Sequence, residues 1–171
     1  MWRNNKFLYT QIKKFNDTYP TFVFEDIFKF CTNLGINVIP YNQYNELYQI
    51  SRDGFTYYDN KEYSIFYNES RPYNRIRFTI AHELGHIFLN HHNLVSVNML
   101  AKKDYYYNPI WEQQANVFAR NILLPADIAK GLKNYSHQEI SNTFELSIQM
   151  VDLRYKTLQQ DICYLKNINY I

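Results

Sequence analysis

Glycine is scarce in this chain: four among 171 residues, with no Gly/Ser-rich or Pro-rich stretch and no internal repeat. Without a linker to divide it, the chain is expected to be a single domain spanning 1–171, long enough to bury one apolar core. Cysteine is nearly absent. Cys31 and Cys163 lie far apart and form no C-x-x-C pair, which excludes a disulfide framework and a cysteine-rich zinc site and leaves both as reduced core residues. No apolar run approaches the roughly 18 residues a membrane span requires, and MWRNNKFLYTQIKKF has no leader-like apolar block, so the expected compartment is the cytosol, with no membrane partner. Charge is also nearly balanced. The 18 Lys and Arg residues offset 16 Asp and Glu to a net charge of +2 and are scattered, so direct nucleic-acid binding is not expected.

Aromatic side chains are plentiful, with 17 Tyr and 12 Phe. Apolar residues at Phe22, Ile27, Phe30, Cys31 and Leu34 have roughly helical spacing, and Gly35 can take the left-handed conformation that ends such a helix. Beyond it the texture changes: INVIPY has the look of a strand, while FTYY and EYSIFYN flank Asp59-Asn60-Lys61, a turn that would fold them into a hairpin. A small antiparallel sheet is therefore expected ahead of the histidines. Ile80, Leu84, Ile87 and Phe88 then trace the apolar stripe of a helix, as do Trp111, Ala115, Phe118, Ala119 and Ile122 until Pro125. Ser136 and Glu139 match a capping box. Two helices, about 136–143 and 147–159, are expected in a closing helical region of about 126–171.

Four of the five histidines fall within FTIAHELGHIFLNHH, residues 78–92. His82, Glu83 and His86 form H-E-x-x-H. Four residues make about one helical turn, so His82 and His86 can present two imidazoles to one metal ion, while Glu83 points about a quarter-turn away, towards a water. The bland alternative is a surface helix with two solvated histidines. Hydrolytic zinc wants a third protein ligand. His92 has the spacing of a metzincin third histidine, but that pattern needs a glycine where Leu89 stands, and a continued helix would carry His92 and its neighbour His91 away from the site. Glu112, opening the second striped helix, could reach the imidazoles if the two helices pack side by side, with Asn116 one turn later orienting a ligand from behind. Equally, Glu112 could be an acidic residue favoured at a helix start.

RIRFTIAHELGHIFLNH followed by EQQANVFARNILLP resembles the ImmA/IrrE family of metallopeptidases, whose R-F-T-x-A-H-E-L-G-H precedes E-x-x-A-N-x-F-A and a Leu-Leu-x-Pro-like ending. The likeness covers about 66–127 and extends more weakly through the closing helices. It implies an α+β fold, a small sheet packed on a zincin-like active-site helix with a helical C-terminal part. It further implies zinc held by His82, His86 and Glu112, with Glu83 as catalytic base. Gluzincins usually carry an aspartate where this chain, like the family, has Asn116. Members of the family cleave repressors of phages and mobile elements, or regulators in stress responses, so the resemblance also implies a protein substrate of that class in a bacterial cytoplasm.

The chemistry expected is metal-assisted peptide hydrolysis, in which Glu83 takes a proton from water and hands it to the leaving amine. Tyr105, Tyr106, Tyr107 and His137 are all available as oxyanion donors, unranked. EYSIFYN is expected to offer a strand edge to an extended substrate. A competing reading takes HQEISNTFELSIQMVDLRYKTL as a helix-turn-helix, making the chain a DNA- or protein-binding regulator, although Arg154 and Lys156 are the only basic residues on its second helix.

Overall fold

A computed structural model of the chain describes residues 2–92, 99–100 and 108–168, with backbone alone for 2–4 and 99–100. The fold is α+β. Helix α1 (Trp2–Thr18) leads through a short 3-10 turn (Phe22–Phe24) to α2 (Ile27–Asn33). Strand β1 (Asn37–Tyr41), the one-turn α3 (Leu47–Ile50), β2 (Gly54–Tyr58) and β3 (Tyr63–Asn68) precede α4 (Tyr73–Phe88). After β4 (Met99–Leu100) come α5 (Pro109–Leu123), α6 (Ala126–Gly131), α7 (His137–Phe144) and α8 (Ile148–Lys166). Among the described residues, no helix is long and apolar enough to cross a membrane.

Most of these elements are where their residue patterns put them. The hairpin turns at Asn60, which takes φ 74°, a value asparagine tolerates better than most residues. Gly35 has φ 71° behind α2. Asp26 caps α2 by accepting the amide of Lys29, so the first half of the expected helix becomes the 3-10 turn. The Ser136–Glu139 capping box is present, and Ser147 caps α8. Residues 2–18, not assigned to any element from the sequence, bury Leu8, Tyr9, Ile12 and Phe15 on one face, the spacing of an amphipathic helix.

Three expectations need correction. The sheet has the order β1-β3-β2-β4 and is mixed: β1 runs parallel to β3, with Asn37 opposite Ser64, while β2 is antiparallel to both β3 and β4. EYSIFYN therefore lies in the interior of the sheet, hydrogen-bonded on both sides, and is no edge. β1 takes an edge instead, which suits Pro40, a residue with no amide to give a second neighbour. Cys163 is exposed on α8, whereas Cys31 is buried as expected.

The aromatic residues explain how the layers adhere. Phe15 of α1 contacts the rings of Tyr19, Phe22, Phe30, Phe88 and Phe118 at centroid distances of 5.0–5.7 Å, mostly edge to face. Such pairs add about 0.5–1.5 kcal/mol each beyond the apolar area they bury. Through this cluster α1, α2 and α5 are fastened to α4. Arg77, buried on α4, donates to the carbonyls of Val23 and Glu25 and so ties the 3-10 turn to the same helix.

Candidate metal centre

Helix α4 supplies the two imidazoles, and its fit against α5 decides whether anything else reaches them. Gly85 is what permits the fit. A Cβ built there would stand 3.0 Å from the Cα and 3.1 Å from the carbonyl oxygen of Ala115 on α5. Small residues on both helices let the backbones touch, and the first turn of α5 is thereby carried to the face bearing His82 and His86. Glu112 sits in that turn, so the helix-start and ligand readings of this residue describe one position.

The three side chains converge. His82 Nε2 lies 3.2 Å from His86 Nε2, and the Glu112 carboxylate approaches them at 3.5 Å (Oε2 to His82) and 3.3 Å (Oε1 to His86). His82, His86 and Glu112 form the one group of potential metal-binding side chains with this compactness among the described residues. The surrounding hydrogen bonds then fix which ring nitrogens face inward. Asn116 Oδ1, an acceptor, lies 3.0 Å from His82 Nδ1, which places the proton on Nδ1 and a lone pair on Nε2. His91 Nε2 donates to Gln114 Oε1 at 3.2 Å, leaving His91 Nδ1 to accept from His86 Nδ1 at 3.0 Å. His86 Nε2 is then a lone-pair donor as well. Two lone pairs and a carboxylate pointed at one another repel unless a cation lies between them, and this donor set suits a divalent ion such as zinc.

Electrostatics at the site agree. Burial lowers the pKa of His82, but the hydrogen bond to Glu112 and the charges of Glu83 and Glu112 outweigh it and hold the imidazole above its ordinary value. For Glu112, burial raises the carboxyl pKa, yet the hydrogen bonds from both histidines pull it well below the usual carboxylate range. The carboxylates that favour a proton on His82 would equally favour a cation beside it.

Glu83 is buried beside this group, and its Oε2 accepts the hydroxyl proton of Thr56 from β2, itself fully buried. His82, Glu83, His86, Glu112 and Asn116 share the wall of one cleft of about 260 Å³. Thr56 and His91 are the participants that sequence reasoning did not select. A threonine in a strand carries no signal of its own. His91 was set aside on the assumption that α4 continues, but the helix stops at Phe88, and Asn90 adopts φ 61°, swinging His91 back behind His86 and stacking it on Trp111 at 5.3 Å. His92 goes the other way, against the rings of Tyr58 and Tyr63, and is no part of the group. Tyr105, Tyr106 and Tyr107 lie outside the described residues. His137 bonds Asp152 and stacks on Tyr155, outside the cleft wall. Arg154, offered as a DNA contact, is fully buried and donates to Leu124 O and Asp161.

Comparison with known proteins points the same way. No curated protein matches the chain. A family model described as the M78 peptidase, IrrE N-terminal-like domain, matches residues 31–156, from α2 to the middle of α8 and across every residue of the cleft. That family is one of metallopeptidases, which implies a metal, and the chain belongs to it: it is a member of the ImmA/IrrE, or M78, family.

Proposed function

We propose that the chain is a zinc-dependent, site-specific endopeptidase that cuts one protein substrate, a transcriptional repressor or regulator of a mobile element or stress response, in the cytoplasm. The observation that carries this reading is the convergence of His82 Nε2, His86 Nε2 and the Glu112 carboxylate in a cleft that Glu83 also lines. His82, His86 and Glu112 would hold the ion, with Asn116 and His91 locking the tautomers of the two imidazoles. Bound there, zinc would supply the Lewis acidity that lowers the pKa of water and polarises the scissile carbonyl.

Glu83 supplies the proton traffic. The Thr56 hydroxyl holds Oε2, which fixes the rotamer and leaves Oε1 to take a proton from water and return it to the departing amine. A structural metal site needs no buried carboxylate of this kind beside it. A cleft of about 260 Å³ is small beside a folded domain, which favours an extended, locally unfolded segment as substrate. The helix-turn-helix alternative loses Arg154 to the interior and keeps only Lys156 as a basic residue in the first three turns of α8.

Substitution at Glu83 is the test. A regulator encoded beside this chain's gene, co-expressed with the wild type, is expected to be cut at a single bond. Glu83→Gln should fold and hold metal like the wild type yet cleave at least about a hundredfold more slowly. Normal cleavage by Glu83→Gln would exclude the peptidase assignment.

A further inference from the structure

The cleft extends beyond the metal-binding side chains. Arg75, Thr79, His82 and His86 all line it and recur every three or four residues, on one face of α4, so the cleft runs along that helix towards its N-terminal end. There Arg75 Nη2 donates to Asp53 Oδ2 at 2.8 Å, while Arg71 Nε forms an ion pair with Asp53 Oδ1 at 3.0 Å. Two guanidiniums thus share one carboxylate. Arg75 Nε and Nη1 meet no acceptor among the described residues, and of the two arginines Arg75 is the one that lines the cleft. Thr79, one turn further on, is only 6% exposed. The hydroxyls of Thr10, Thr18, Thr32 and Thr157 each donate to the carbonyl four residues back, but the Thr79 hydroxyl makes no such bond among the described residues. Gly54 of β2 faces it across the cleft wall, where a Cβ would stand 2.5 Å from Thr79 Cγ2.

A divalent ion would balance the charges of Glu83 and Glu112 in the other half of the cleft, which leaves Arg75 as the uncompensated charge. Arg75 precedes His82 by seven residues, about 10 Å along the axis at about 1.5 Å per residue. An extended peptide advances about 3.3 Å per residue, so its third side chain from the metal arrives at Arg75. A carboxylate there can take the open edge of the guanidinium, whereas a basic side chain would meet like charge beside an Asp53 that already serves two arginines. The Thr79 hydroxyl, one turn from each end, is left for the peptide main chain. Resting on the peptidase reading, we infer that Arg75 sets the specificity of the cleft: it binds an acidic side chain about three residues from the scissile bond, and Thr79 hydrogen-bonds the main chain between.

The test measures binding, by calorimetry, of hydroxamate-anchored peptides to the full-length, zinc-loaded protein. One series, acetyl-X-alanyl-alanine hydroxamate, extends to the N-terminal side of the anchor. The other, succinyl-alanyl-X amide with its outer succinyl carboxyl converted to a hydroxamate, extends to the C-terminal side. X is Asp or Asn, third from the anchor in both, and acetohydroxamate reports the anchor alone. In the series whose chain runs towards Arg75, the Asp probe should bind at least about fivefold tighter than the Asn probe. Arg75→Gln should erase that preference in a folded protein, because Arg75 is exposed and Arg71 still holds Asp53. Thr79→Val should instead weaken the Asp and Asn probes alike. Two outcomes overturn the proposal: equal affinity for Asp and Asn in both series, and a preference for Asp that survives Arg75→Gln. Either result in a protein that takes up zinc and binds acetohydroxamate removes this specificity alone. A protein that takes up no zinc removes the peptidase reading together with it.

Discussion

Helix α5 separates two buried polar clusters that are unbalanced in opposite senses. On one side, His82, His86 and Glu112 aim lone pairs and a negative charge at a common point; on the other, Arg120 and Arg154 share the single carboxylate of Asp161. Asn116 lines the metal cleft and also a groove that Arg120 and Asp161 border. The difference lies in what each cluster can do about its imbalance. Imidazoles can take up or release a proton near neutral pH, so the first cluster tolerates the loss of a partner and can exchange a proton for a metal. Guanidiniums cannot, so the second depends on its carboxylate for the stability of the fold.

The largest expected effect tests that contrast directly. Asp161→Asn leaves two buried cations without an anion and should cost about 3–5 kcal/mol, as when one partner of a buried ion pair is removed. Glu112→Gln removes the anion from the other cluster and should cost no more than about 1 kcal/mol in the metal-free protein, because His82 can release its proton. Urea unfolding of the two variants compares them, and equal losses would erase the distinction.

Gly85→Val comes next. Overpacking against Ala115 should destabilise by about 1–3 kcal/mol and, by pushing α5 outward, carry Glu112 from the imidazoles, with lowered zinc affinity as the readout. His91→Ala should leave the fold nearly intact and weaken zinc binding by about 10–100-fold, the usual effect of losing a group that orients a metal-bound histidine.

The pH response should be gentler and of opposite sign with and without metal. His82 has a raised pKa in the metal-free fold, so its contribution to stability is fully present below the ordinary histidine value of about 6.5 and fades as pH rises through the folded value. Glu112 is depressed, and its contribution is present above the ordinary glutamate value of about 4.3 and fades as pH falls towards the folded value. The chelated protein should therefore lose this share of stability as pH rises above about 6.5. Metal must displace the same proton, so zinc binding should strengthen over that interval. Melting curves at several pH values, with chelator and with zinc, would show whether the slopes diverge.

Much of the site was legible because helical periodicity is a strong local signal. His82 and His86 lie one turn apart on a striped helix, and Glu112 and Asn116 repeat that relation on the next; the residues that bring the helices together, Gly85 and Ala115, lie within the same two motifs. What was not legible depends on the chain meeting itself at a distance. The parallel pairing of β1 with β3 joins residues 27 apart, such as Asn37 and Ser64, and no local pattern announces it; hence the mistaken assignment of EYSIFYN to an edge. Thr56 meets Glu83 by the same long-range route. His91 is a different failure, since Asn90 is among the few residue types that enter the left-handed region readily, and its position just past the apolar stripe signals that α4 need not continue.

The central claim is that His82, His86 and Glu112 hold one divalent ion together. Equilibrium dialysis against zinc, followed by elemental analysis of the folded protein, measures it most directly. Wild type should retain about one zinc ion per chain, and Glu112→Ala should retain little while its circular dichroism is unchanged. A wild type that takes up no zinc, or a Glu112→Ala protein that holds it as tightly as wild type, would contradict the account.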